Sequence, residues 1–126
     1  MIDTLQFEFG EIRVFKNFVV AIMKEGTTVK PEHNDELLKI SQKYYQNRPF
    51  GYITYRINSY AVNPLVYLKT STISNLAAFA VVSTDSLRIR NLEVEKRFLT
   101  KPLRHFTNME DAENWVNELI ANMEKR

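Results

Sequence analysis

The chain has no cysteine, three glycines and two histidines in 126 residues. Without cysteine there can be no disulfide, no thiolate metal site and no cysteine nucleophile. Three glycines do not make a phosphate-cradling loop, and none of the known glycine-spaced signatures is present. The two histidines, His33 and His105, lie far apart with no ligand-like spacing, so no metal site is expected. His33 is expected to be exposed in the first turn of a helix, and His105 to lie in a short strand between Arg104 and Phe106. Ser59, Ser71, Ser74, Ser83 and Ser86 all lack the flanking glycines of a nucleophile elbow, so turn and cap duty is their expected role. Glu110, Asp111 and Glu113, like Asp35 and Glu36, sit where helices should begin and complement the helix dipole. Neither catalytic nor cofactor-binding residues are expected.

Long apolar runs are also missing. The longest has seven residues, against the roughly 20 needed to span a bilayer, so no membrane span is expected. The first residues carry Asp3 and Glu8 and no basic cluster, which makes a poor targeting segment. A cytoplasmic protein is the expectation. Net charge is +2 but unevenly spread. Residues 1–38 hold four basic and seven acidic groups, residues 39–108 eleven and three, and residues 109–126 two and five. Dispersed lysines and arginines on solvated faces account for the basic middle. Tyr52, Tyr55, Tyr60 and Tyr67 cluster near Arg56, a mixture that can bind nucleic acid. A half-exposed strand and its following helix contain the same mixture, so nucleic-acid binding is not expected.

What is present is strong patterning. Leu76-Ala-Ala-Phe-Ala-Val-Val82 is closed by Ser83, Thr84, Asp85 and Ser86. Such a run reads as a strand buried on both faces, with helices above and below it. Before it, Leu5, Phe7 and Phe9 alternate with polar residues, a second strand crosses Ile12, Val14 and Phe15, and Phe18–Met23 reads as a third. Pro31, acidic residues and then Leu37, Leu38, Ile40, Tyr44 and Tyr45 predict a helix over 31–46, stopped by Asn47, Pro49 and Gly51. Tyr52–Ile57 reads as a strand and Asn58–Pro64 as a loop. A short helix over 65–72 is expected to turn Leu65, Leu68 and Val66 inward. A charged helix over 86–100 and a short edge strand, Leu103–Phe106, follow. Ala112, Trp115, Val116, Leu119, Ile120 and Met123 make the clearest helical stripe, with Asn108 as N-cap and Trp115 as its expected core anchor.

The order β-β-β-α-β-α-β-α-β-α predicts one α/β domain with a mixed sheet, at least partly parallel, and about four helices packed on it. In such sheets ligands bind beyond the carboxyl ends of the strands. Those ends lead into two loops expected to be neighbours. The candidate ligand or partner residues are therefore Asn58, Ser59, Tyr60, Ser83, Thr84 and Asp85.

Several of these stretches together are similar to a known family. They are Gly10-Glu-Ile-Arg-Val, Phe18-Val-Val-Ala-Ile, the helix after Pro31, the strand Tyr52–Ile57, Phe79-Ala-Val-Val ahead of a helix, and the ending Leu103-Arg-His-Phe-Thr-Asn-Met-Glu-Asp-Ala-Glu-Asn-Trp-Val. The chain resembles the SpoIIAA-like proteins, relatives of the STAS domain of bacterial anti-sigma-factor antagonists. The resemblance implies a STAS-like sheet of four or five strands with helices packed on it. Antagonists of that family carry an Asp-Ser pair whose serine is phosphorylated by a partner kinase. The nearest position here is Asn58-Ser59, with asparagine in place of aspartate and no glycine following. The resemblance implies a non-enzymatic regulatory or protein-interaction module. A protein partner is expected, and a homodimer is plausible through an open N-terminal sheet edge. The alternative is a binder of a small lipid-like or nucleotide ligand held between helix and sheet, for which a cavity beneath the helix at 65–72 would be the sign.

Overall fold

The computed structural model describes residues 1–46, 48–58, 61–83 and 92–124. Three strands open the chain as an antiparallel meander: β1 (Asp3–Phe7), β2 (Gly10–Val14) and β3 (Phe18–Met23). Gly10 starts β2 with φ at +151°, and a side chain there would run into the Ile22 carbonyl of β3. Only glycine fits that approach.

From β3 onward the chain alternates strand and helix. β4 (Thr28–Val29), a 3-10 turn (Pro31–His33) and α1 (Asn34–Ile40) lead through a π-helical turn (Ser41–Tyr45) to β5 (Phe50–Tyr55). β6 (Ala61–Val62) and α2 (Val66–Thr70) lead to β7 (Leu76–Val82). α3 (Leu92–Phe98) leads to β8 (Leu103–Phe106), and α4 (Met109–Glu124) follows. The main sheet runs β1-β2-β3-β5-β7-β8, with β3, β5, β7 and β8 parallel. β4 and β6 form a separate two-stranded parallel pair, Thr28 opposite Ala61 and Val29 opposite Val62.

The main sheet thus has six strands, more than the four or five implied by the resemblance; the residue-by-residue pattern already contained six. β4 and β6 have only two residues each, too short to show periodicity. The expected helix at 31–46 is broken into three pieces. The Gln46 N–H bonds the Ser41 carbonyl five residues back, at 3.1 Å, and Gln46 itself is left-handed at φ 41°. Of the helix expected over 86–100, Leu92–Phe98 is helical and residues 84–91 lie outside the described residues.

β7 is the buried centre: all seven residues are buried. Phe79 and Val81 face a core layer formed with Leu37 and Ile40 of α1, Tyr45, Val66, Tyr67 and Leu99. Ala78, Ala80 and Val82 face the opposite layer, formed with Ala112, Val116 and Ile120 of α4. Small residues on that second face let α4 come close. Gly51 of β5 pairs directly with Ala78, and a β-carbon on Gly51 would collide with Val116. Asn108 caps α4 as expected, its Oδ1 accepting the Asp111 N–H at 2.9 Å. Trp115 is not the core anchor. It is half-buried beside Phe106, while Val116, one residue on, is fully buried. The crowded floor of Ala78 and Gly51 accepts a valine there and has no room for an indole.

The amino ends of the parallel strands are tied shut by polar groups. The Tyr45 hydroxyl lies 2.7 Å from the Phe15 carbonyl and 2.9 Å from that of Phe18, and burial pushes its pKa well above the usual tyrosine range. Arg48 donates to the Lys16 carbonyl at 2.8 Å. At the same end of β2, the Tyr44 hydroxyl donates to the Asp3 carboxylate, which lowers the Asp3 pKa and raises that of Tyr44.

Candidate functional site

Between the sheet and the α1–α2 layer lies a cavity partly open to solvent, with about 50 Å³ of room for the centre of a water-sized molecule. Its floor is the sheet: Ile12 of β2, Met23 of β3, Tyr52 and Thr54 of β5, and Phe79 of β7. Its roof is Leu37 of α1 with Val66, Tyr67 and Thr70 of α2. Val29 and Val62, paired across β4 and β6, close one side, and Phe9 and His33 flank it. Walls that are mostly apolar and aromatic, with a few placed polar groups, are the usual makeup of a small-molecule site.

The polar groups are held by bonds to one another. The Asn34 amide donates to the Val66 carbonyl at 2.9 Å, and the Thr70 hydroxyl donates to Asn34 Oδ1 at 2.7 Å. These bonds pin α1 to α2 from inside. Arg56, just past the end of β5, lines the cavity with its guanidinium buried. Its Nη2 reaches both Glu95 carboxylate oxygens at 3.2 Å and the Tyr67 hydroxyl at 3.3 Å. Glu95 comes from α3 and is as buried as its partner, each side chain being 8% exposed. His33 is half-buried, not exposed as expected, because its ring stacks on Phe9 at 4.7 Å between centroids. Its Nδ1 accepts the Lys30 backbone N–H at 3.0 Å, which requires that nitrogen to carry no proton and places the ring proton on Nε2.

The two loops expected to be neighbours are so at their starts: the Arg56 N–H donates to the Val82 carbonyl at 2.9 Å. Of the six candidate residues, Ser59, Tyr60, Thr84 and Asp85 lie outside the described residues. Asn58 and Ser83 are described and serve the scaffold. Asn58 donates to the Met23 carbonyl at 2.8 Å. Ser83 is buried; its N–H donates to the Phe106 carbonyl at 3.0 Å and its carbonyl meets His105 Nε2 at 2.9 Å. The cavity lies beside them, under α2, and neither lines it.

The inward face of α2 is also corrected. Leu65 and Leu68 are about half exposed; Val66 is buried as expected, and Tyr67 and Thr70 are buried with it. The helix is rotated one residue from the expected register because Tyr67 packs edge-on against Phe79, at 5.6 Å between centroids, and Thr70 bonds Asn34. The sequence did carry a signal for this site. The tyrosine cluster around Arg56 points partly inward, with Tyr52 and Tyr67 in the cavity wall.

Among the described residues no group of three or more histidine, aspartate or glutamate side chains could hold a metal ion, and no helix is long and apolar enough to cross a membrane. Comparison with protein-family models, curated proteins and solved structures finds no match to this chain.

Proposed function

We propose that this chain is a non-enzymatic binding module for a small, mostly apolar molecule, held between the sheet and α1–α2. The observation that carries the reading is the cavity at the carboxyl ends of β3 and β5, roofed by Val66, Tyr67 and Thr70. Its polar lining groups Asn34, Thr70, Tyr67 and Arg56 are fixed by bonds within the protein, so a ligand would meet donors and acceptors already in place. The likeness to the SpoIIAA-like proteins and a cytoplasmic setting belong to this proposal. They rest on the stretches quoted above and on the absence of cysteine.

A titration of ¹⁵N-labelled protein with benzyl alcohol tests it. Amide shifts gathered at Met23, Thr54, Val62 and Val66, and abolished by Val62→Trp at the cavity side, are the expected result. Absent shifts, or shifts scattered over both faces of the sheet, would overturn it.

A protein-interaction role is the second reading. It is favoured by Leu38, Leu65 and Leu68, exposed at 43%, 52% and 50% on neighbouring helices that Lys69 and Asp35 bridge at 3.2 Å. With a second copy as the first partner to try, sedimentation that rises with concentration and is lost in Leu65→Glu/Leu68→Glu is expected. Sedimentation independent of concentration would remove the homodimer.

A further inference from the structure

Three constraints fix the His33 ring beside the cavity. His33 ends the 3-10 turn, its ring stacks on Phe9 with 24° between the planes, and its Nδ1 accepts the Lys30 N–H at 3.0 Å. Phe9 is itself stacked on Phe7 at 4.9 Å, so the imidazole closes a row of three rings. One face lies against Phe9 and the Nδ1 edge against Lys30. The second face and the edge that carries Nε2 are what the ring has left to line the cavity. Because Nδ1 is an acceptor, the neutral ring presents a donor at Nε2. That donor has no partner within the protein, and it is not sealed from solvent. The other polar side chains lining the cavity among the described residues are engaged. Asn34 and Thr70 bond each other, and Tyr52, Thr54, Arg56 and Tyr67 have partners of their own.

From this we infer that His33 is a binding residue whose Nε2–H holds the polar end of the ligand, and that the ligand is an apolar body ending in a carbonyl oxygen and not a hydrocarbon. The inference deepens the binding reading above and rests on it. The ring is fixed before any ligand arrives, so little ordering is lost when the bond forms. Val29, Leu37 and Val62, in the same wall, take the apolar body. An apolar group laid over Nε2–H would strip its water and return nothing. A carbonyl oxygen replaces the lost bond. A polar group left unpaired discriminates more steeply than apolar fit does, so the donor sets the preference.

Acetophenone and α-methylstyrene are the probes. They have the same shape, with an oxygen in the first where the second has a methylene. At about pH 8 an ordinary histidine is neutral. Long-range ¹H–¹⁵N spectra of the ligand-free protein should then show His33 protonated on Nε2 and bare at Nδ1. Acetophenone should shift the Nε2 nitrogen, and α-methylstyrene should leave it in place. His33→Phe keeps a ring against Phe9 and removes the donor. It should move the ratio of the two affinities, read from amide-shift titrations, toward α-methylstyrene by about threefold to tenfold. A ratio that does not move overturns the inference while leaving the binding reading intact. So does a ligand-free ring protonated on Nδ1. If His33→Phe does not fold, the wild type decides alone: an Nε2 nitrogen unmoved by bound acetophenone overturns the inference. If neither these probes nor benzyl alcohol binds, the binding reading itself falls and the inference falls with it.

Discussion

Tyr45 shows how much one side chain closes at the amino end of the sheet. Its hydroxyl serves two carbonyls, at Phe15 and Phe18, from a ring stacked on Phe50 at 4.5 Å. Tyr45→Phe should lower stability at pH 7 by about 1 kcal/mol, the usual net worth of such a bond. The pKa of Tyr45 is raised in the folded state, so its stabilising effect is complete below the unfolded value, near 10, and fades as pH rises past it. Urea melts at pH 7 and pH 11 should therefore show the wild type's advantage over Tyr45→Phe shrinking at the higher pH. An advantage that grows would contradict the assignment. Asn34 is the matching residue at the other end, buried with both ends of its amide bonded. Asn34→Ala should lower stability by about 1 kcal/mol, since its bonds to Thr70 and Val66 are lost while the Thr70 hydroxyl, 2.9 Å from the Val66 carbonyl, can still bond it. Neither role could be read from the sequence, because a polar residue in a helix looks the same whether it points to water or into a core. Arg56 was visible as a charge among tyrosines, but its partner lies 39 positions away and on another element.

At the scale of elements, the strands were legible and the helix registers less so. Phe18–Met23, Leu76–Val82 and Leu103–Phe106 begin and end where their patterns do. Apolar runs this short, closed by turn formers, leave little room for a buried helix. α2 has only five residues, and two inward stripes one position apart fit it equally well by periodicity; packing against Phe79 chose between them. The helix after Pro31 ends in a residue at φ 41°, a region where side chains other than glycine are strained. Gln46→Gly should therefore raise stability by about 0.5 kcal/mol, the strain relieved less the backbone entropy lost, measured by thermal melting. The close approach of α4 and β5 makes the opposite case. Gly51→Ala should destabilise by about 1–3 kcal/mol by overpacking. The same change made in a Val116→Ala background should cost less, and a double-mutant cycle of melts would read the coupling directly. If the two changes simply add, the close contact is not what Gly51 provides.

For the whole molecule, the order of strands and helices was legible, and the end of the sheet that the sequence singled out is the one beside which the cavity lies. The position of the cavity was not legible, since it depends on where three crossovers lay their helices across one face. With α1, α2 and Leu99 all in the layer on that face, α4 is the one helix among the described residues that packs on the other face of the six-stranded sheet. α4 is also the last of these elements in the chain. Chains emerge from the ribosome in sequence order and fold as they emerge. Until that helix is made, Val20, Ile53, Ala80 and Val82 lack the α4 residues that they pack against in the folded chain. Before α4 docks, that apolar face is open to chaperones and to the chain's own copies. A fragment ending at residue 108 would hold that stage still, and should bind a dye for exposed apolar surface that the full chain ignores.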